Sequence, residues 1–266
     1  MTYLQILLVL SILPIWVVGY IIYRNDKVEK ESFGLLSKLF FGGIGAVVMT
    51  LIITIIINIF IPVFNNTESL NLIELIPYCF IVIGLVEEGS KWVMLKCITW
   101  KNKEFNYIYD AIVYAVFVSL GFAALENILY VLSGGITTAI TRSIFSIPGH
   151  TFFGVFMGYY YGLAKQAEIN GNTKLKQKNM LLSIVMPTLL HGIFDYCLFS
   201  LEPLLLILYF VFIIFLYVKG FKKFKQLKNI QISFLRGIPI KKYFCPNCGT
   251  EITSNYCYNC GYKKQI

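Results

Sequence analysis

Long apolar runs alternate with short polar connections along this chain. Seven runs approach or exceed the length of about 20 residues that a helix needs to cross bilayer hydrocarbon. They cover residues 3–23, 39–64, 75–97, 108–132, 138–164, 180–199 and 203–218. The pattern predicts an all-α fold, a polytopic transmembrane bundle of about seven spans. The first run is too long for the core of a signal peptide. No basic residue precedes it and no small-residue cleavage site follows, so it reads as a retained span.

The connections alternate in charge. Arg24, Lys27, Lys30 and Lys38 mark the first, Lys101 and Lys103 the third, and Lys165, Lys174, Lys176 and Lys178 the fifth. The second, fourth and sixth connections carry no lysine or arginine. The tail from Lys219 is densely basic. Of the 23 lysines and arginines, Lys91 and Arg142 fall within spans away from the basic connections, and Lys96 lies at the end of the third span beside Lys101 and Lys103. Basic connections stay on the cytoplasmic side, which predicts a multi-pass cell-membrane protein with its N-terminus outside and its tail in the cytoplasm. The composition agrees: 57% of residues are hydrophobic and 14% are charged, against about 25% charged in soluble domains. The net charge of +9 follows the connections and gives no specific nucleic-acid signal.

Against that background the charges inside the spans stand out. Glu87, Glu88, Lys91, Asp110, Glu126, Arg142, His150, His191 and Asp195 all lie within apolar runs, and both histidines of the chain are among them. A charge near the bilayer centre costs about 2.5–3.5 kcal/mol on insertion scales, so these groups need a protein interior or a water-filled cavity. Lys91 is four residues from Glu87 and three from Glu88, one helical turn from either acid. One lysine does not neutralise two carboxylates. His191 and Asp195 share a helix face, as do Phe122 and Glu126. Helix rise places Glu88 roughly 12 Å from the cytoplasmic end of its run, and Glu126, His150 and His191 roughly 10–18 Å from the outer ends of theirs. Four helices can thus share one polar chamber. Asp110 reads as an interfacial residue and Arg142 as one that snorkels to the outer surface. Asn127 has the chemistry to join the cluster, but the sequence does not single it out.

The order Glu87-Glu88-x-x-Lys91, then Phe122-x-x-x-Glu126, then His191-x-x-x-Asp195 resembles the PrsW family of intramembrane proteases. That family belongs to the larger group of the CAAX prenyl endopeptidases. The flanking text is also similar, at Asp110-Ala-Ile-Val-Tyr114, at Gly121 to Ile128 and at Pro148-Gly-His150. The resemblance covers about residues 80–199 and implies hydrolysis of a peptide bond in or next to the membrane. It implies catalytic roles for Glu87, Glu88, Glu126, His191 and Asp195, with Lys91, Phe122 and His150 in support. Glu87 or Glu88 is the expected general base. His191 is expected as a metal ligand or as a donor to the oxyanion. A divalent metal and a glutamate-activated water are both open routes. The implied substrate is a membrane protein or membrane-associated peptide in the lipid bilayer, such as an anti-sigma factor.

The seven cysteines divide by place. Cys79, Cys97 and Cys197 are isolated in apolar runs and read as small core residues. Cys245-x-x-Cys248 and Cys257-x-x-Cys260 form two knuckles, each followed by glycine. Four thiolates in that spacing suit one structural zinc, so the tail reads as a small zinc ribbon with scope for a cytoplasmic protein partner. The predicted organisation is a helical protease-like domain at 1–218, a basic amphipathic linker at 219–242 and the ribbon at 243–264. Two other classes fit buried carboxylates: an ion- or proton-coupled transporter, and a non-enzymatic membrane sensor that signals through its ribbon. A transporter of this kind often carries an internal repeat, and none is visible.

Overall fold

The computed structural model describes residues 2–25, 30–229, 243–244, 247–248, 251–252 and 260. Among the described residues, those up to Asn229 are helical wherever they form regular structure. The helices are α1 (Tyr3–Asn25), α2 (Phe33–Phe60), α3 (Leu72–Pro77), α4 (Val86–Thr99), α5 (Ile108–Ile144), α6 (Ser146–Ile169), α7 (Thr173–Phe199) and α8 (Pro203–Asn229). A π-helical segment, Tyr78–Leu85, joins α3 to α4 without a break. Helices close their backbone hydrogen bonds internally, which lipid demands of any spanning segment.

Starts are set by side chains that take the orphan N–H groups of the first turn. Ser32 accepts from Leu35 N at the head of α2. Asn71 and Glu74 form a reciprocal capping box at α3. Asp110 accepts from Asn106 N and Tyr107 N at the head of α5, at 3.0 and 2.7 Å. Asp110, expected as an interfacial residue, is a cap at the start of its helix.

The core is centred on α5. Residues Ala111 to Val116 are buried on every side, with α1, α2 and α6 packed around them and α7 behind α6. Glycines permit the closest crossing. A Cβ on Gly43 of α2 would sit 2.0 Å from the Val118 carbonyl oxygen, and one on Gly121 of α5 would sit 1.9 Å from the Phe40 oxygen. Only two residues without side chains let these backbones meet.

Five stretches are long and apolar enough to cross a membrane among the described residues: Tyr3–Asn25, Phe33–Phe60, Ile108–Ile169, Thr173–Phe199 and Pro203–Lys222. The expected seven differ from these in two places. The run at 75–97 is helical throughout but is divided into α3, the π segment and a charged α4. The runs at 108–132 and 138–164 merge into one stretch of 62 residues. That stretch is interrupted at Gly135, whose φ of 73° and ψ of −159° no helical residue adopts. The interruption lies inside the predicted connection at 133–137.

The basic connections gather at one end of the bundle. Ser32 N donates to Glu104 Oε2 at 3.1 Å, and Tyr114 Oη donates to Glu31 at 2.7 Å. Lys165 Nζ donates to the Trp100 carbonyl at 2.9 Å. Glu168 pairs with Lys165 and Lys176 beside it.

Some expectations change. Cys79 and Cys197 are buried, but Cys97 is exposed on the outer face of α4, so it is no core residue. The predicted domain end at residue 218 falls inside α8, which continues to Asn229. Cys245 and Cys257 lie outside the described residues, as does most of the predicted ribbon. Within that tail, β1 (Tyr243–Phe244) and β2 (Glu251–Ile252) pair antiparallel, and Cys248 and Cys260 are exposed in turns.

Candidate active site

Four elements bring the buried charges together. α4 carries Glu87, Glu88 and Lys91. α5 supplies Phe122, Glu126 and Arg142, α6 supplies His150, and α7 supplies His191 and Asp195. The π segment matters here because its wider turns rotate everything after them. Val86 N reaches Ile81 O and Ile83 O rather than keeping the regular α ladder. Small residues then allow α7 to come close. A Cβ on Gly84 would meet the Thr188 carbonyl at 3.0 Å, and one on Gly192 would meet the Phe80 ring at 2.4 Å. Gly192 follows His191, so this contact sets the imidazole against the glutamates.

Lys91 is fully buried and lies at the centre. Its Nζ is 2.7 Å from Glu88 Oε1, 3.5 Å from Glu87 Oε2 and 3.2 Å from His150 Nδ1. It also stands 3.9 Å above the Phe122 ring, a cation–π contact strengthened by the absence of water. His191 Nδ1 is 3.0 Å from Glu88 Oε1, and its Nε2 is 3.3 Å from Asp195 Oδ2. Each imidazole nitrogen of His191 therefore faces a carboxylate. The Phe153 ring stacks on His191 at 4.9 Å, and the two imidazoles lie 5.4 Å apart and perpendicular.

A second half of the network hangs on Glu126. Its Oε2 is 2.8 Å from His150 Nε2 and 2.8 Å from Arg142 Nη2. Arg142 Nε donates to Asn127 Oδ1 at 2.8 Å, and Asn127 donates to the Ser11 carbonyl of α1 at 2.8 Å. Arg142 lies over the Tyr130 ring at 4.3 Å. Polar contacts thus run from α1 through α5, α6 and α4 to α7.

All eight charged or aromatic residues expected in the membrane site are brought together. His150, a secondary candidate in the sequence, sits between Lys91 and Glu126. Arg142 does not snorkel outward; it turns inward to Glu126. The sequence carried one signal for this. Gly134 and Gly135 lie between Glu126 and Arg142, and a break there folds the distal part of α5 back against its own proximal part.

A cavity of about 630 Å³ opens on the cluster. Glu87, Glu126, Arg142, His150, His191 and Asp195 line it, but Glu88 and Lys91 do not. The two adjacent glutamates therefore differ. The Glu88 side chain is fully buried behind the wall, and the Glu87 side chain is 13% exposed. Three carboxylates, two imidazoles and a guanidinium line a cavity in an apolar helical bundle, chemistry suited to hydrolysis within a membrane.

Comparison with known proteins narrows the class. The model of the PrsW family intramembrane metalloprotease matches residues 31–219. The Protease PrsW of Oceanobacillus iheyensis is 35% identical over 187 residues, 70% of this chain and 80% of that protein. That of Clostridioides difficile is 34% identical over 227 residues, covering 84% and 92%. That of Bacillus subtilis is 36% identical over 155 residues, covering 58% and 68%. No solved structure matches. The chain belongs to the PrsW family of intramembrane proteases.

The family's description raises the question of a metal. Glu87, Glu88, His150 and His191 each present a ligand atom within 4.8 Å of the others. Carboxylate and imidazole are zinc ligands. Glu88 Oε2 is buried without a hydrogen-bond partner. With neutral imidazoles, Glu87, Glu88, Glu126 and Asp195 outnumber Lys91 and Arg142 by two charges. The donor set and the excess charge both fit a divalent cation, provided that Lys91 Nζ, which holds Glu88 Oε1 and His150 Nδ1, moves aside to free them.

Proposed function

We propose that this chain cleaves a peptide bond of a membrane-protein substrate at the cavity, with Glu87 as general base. The observation that carries this reading is the division of the glutamate pair. Glu87 faces the cavity, and Glu88 stays behind it, holding Lys91 and His191. Glu87 takes a proton from water held in the cavity and returns it to the leaving amine. Arg142 has guanidinium N–H groups beyond those used by Glu126 and Asn127. Those groups meet the charge that develops on the carbonyl oxygen, beside His191, whose nitrogens are held by Glu88 and Asp195. Glu126 orients His150, and Asp195 orients His191.

A divalent ion, where bound, would be held by Glu87, Glu88, His150 and His191, and would supply Lewis-acid polarisation of water or carbonyl. The metal route and the glutamate route use the same side chains. The substrate that the family likeness favours first is a single-pass protein of the anti-sigma-factor kind. We read α3, the π segment and α4 as one span, and α5 and α6 as two, giving seven. Joined basic connections at one end then favour an outside N-terminus and a cytoplasmic tail. The tail cysteines would hold a structural zinc, with a cytoplasmic protein as the ribbon's partner.

The test is cleavage of a single-pass test protein by purified full-length chain in lipid. Glu87→Gln and His191→Ala are expected to abolish it. Cleavage at the parent rate by both variants would end the assignment.

A further inference from the structure

The cavity has a second polar wall, unconnected to the charged network. The distal half of α2 is apolar from Val47 to Phe60 except at Thr50, Thr54 and Asn58. These three recur every fourth residue, so they form one stripe along the helix. Thr50 and Thr54 line the cavity that Glu87 faces. Thr137, Thr138 and Thr141, from the part of α5 beyond Gly135, line it too.

Hydroxyls in a membrane helix ordinarily bond back to the carbonyl one turn earlier. Thr141 does so, to Thr137 O at 2.9 Å. Thr50 does not. Its residue is 9% exposed, and its Oγ1 is buried with no hydrogen-bond partner. Asn58 Oδ1, two turns further along the stripe, is also buried and unpartnered. An unsatisfied buried hydroxyl or amide costs about 1–3 kcal/mol. Thr50 and Thr54 border the cavity, where a change of χ1 rotamer brings a threonine hydroxyl within reach of an occupant.

We propose that Thr50 and Thr54 form a ledge that hydrogen-bonds the backbone of an extended stretch of substrate chain. This deepens the peptidase reading and rests on it. The form of the occupant follows from bonding. A helical segment satisfies its own backbone and has no use for the ledge. An extended segment presents an N–H and a C=O on the same side at every second residue, about 6.6–6.8 Å apart. Residues four apart on a helix lie about 6 Å apart along its axis, close to that repeat. A threonine hydroxyl donates and accepts, so it serves either group. The ledge thus selects a stretch that has left the helix, the form in which a peptide bond is open to Glu87.

The experiment uses full-length protein in lipid and two synthetic single-pass peptides. Both have a leucine-alanine helix, and one carries a Gly-Pro pair near its outer end to free the backbone there. The parent is expected to prefer the Gly-Pro peptide. Thr50→Val with Thr54→Val removes the hydroxyls at constant shape. It is expected to raise KM for that peptide about tenfold with kcat changed less than about twofold, as for two lost hydrogen bonds. Thr50→Ser with Thr54→Ser is expected to keep the parental KM. A second measurement reads binding alone. In Glu87→Gln protein, a photoreactive residue at Leu51, which lines the cavity, is expected to crosslink the Gly-Pro peptide, and the valine pair is expected to abolish the crosslink. If the parent cleaves neither peptide but crosslinks through the hydroxyls, the ledge stands and the peptidase reading falls. Unchanged KM and unchanged crosslinking in the valine pair would overturn the ledge while cleavage continued, as would absence of any crosslink from Leu51.

Discussion

Lys91 Nζ lies 3.2 Å from His150 Nδ1, and this contact fixes the proton on that imidazole. An ammonium donates and does not accept. Nδ1 is therefore the acceptor, and the ring's N–H is at Nε2, where it donates to Glu126 at 2.8 Å. In this arrangement His150 is held as one tautomer by a cation on one side and a carboxylate on the other, and Nδ1 is the nitrogen that a metal would take over from Lys91.

Removing the cation should show first in stability. Lys91 is fully buried among Glu87, Glu88 and His150. Breaking a buried pair by deleting one partner costs about 3–5 kcal/mol, because the other charge is left uncompensated. Lys91→Met is expected to lower the thermal midpoint in detergent strongly. Lys91→Met with Glu88→Gln is expected to recover most of the loss. Equal midpoints for the single and double variants would show that Glu88 is not the partner that matters.

The two glutamates should separate by phenotype. Glu87→Gln changes a group on the cavity wall and is expected to lose at least about 100-fold in kcat, the low end for a general base, with little change in thermal midpoint. Glu88→Gln removes the charge that holds Lys91 and His191. It is expected to lose activity and midpoint together. Parallel kcat and melting measurements on the two purified variants decide this. A stable, inactive Glu88→Gln beside a stable, active Glu87→Gln would exchange their roles.

Much of this site was legible before any fold was known. A charge inside an apolar run is conspicuous, and spacings of three and four put Lys91 beside its glutamates and His191 beside Asp195. What stayed hidden was rotation and return. The π segment changes the facing of everything after Leu85, and periodicity assumes regular turns. Arg142 looked like an outer-surface residue because a straight helix would carry it there. The break at Gly135 returns it to Glu126. The number of long apolar stretches also differed from the count of runs, because α4 carries the site's charges and α5 continues past its break.

In the proposed mechanism Arg142 positions Glu126 as well as facing the cavity. Arg142→Gln removes a charge-assisted bond to Glu126 and a bond to Asn127, each about 1.5–3 kcal/mol or less at a partly exposed position. The expected result is a fall in kcat of about tenfold with KM nearly constant. Arg142→Lys keeps the charge but not the fork that reaches both partners, so partial recovery is expected. A rise in KM alone would move Arg142 from the reaction to substrate binding.

Metal content separates the two routes to hydrolysis. The full-length protein is expected to hold two ions per chain. Cys245→Ser with Cys257→Ser removes the one in the tail, and His150→Ala with His191→Ala removes the one at the cavity. Elemental analysis of these variants is the measurement. A single ion that follows only the cysteines assigns hydrolysis to Glu87 and the imidazoles without a metal.

The glycine crossings give the last prediction, which depends on what a new methyl would strike. At Gly192 the obstacle is a side chain, the Phe80 ring at 2.4 Å. At Gly43 it is backbone, the Val118 oxygen at 2.0 Å and the Phe122 nitrogen at 2.7 Å. Overpacking costs about 1–3 kcal/mol where neighbours can adjust. Gly192→Ala is expected to reduce activity by shifting His191 away from Glu88, and Phe80→Leu on top of it is expected to restore part of that activity. Gly43→Ala forces α2 and α5 apart, and no single side-chain change at the crossing relieves it. Its yield of folded protein is expected to fall well below that of Gly192→Ala, read by monodispersity in detergent. Rescue of Gly192→Ala by Phe80→Leu, with no rescue for Gly43→Ala, would place the π segment's contact with α7 as the joint that sets the glutamates against the imidazole.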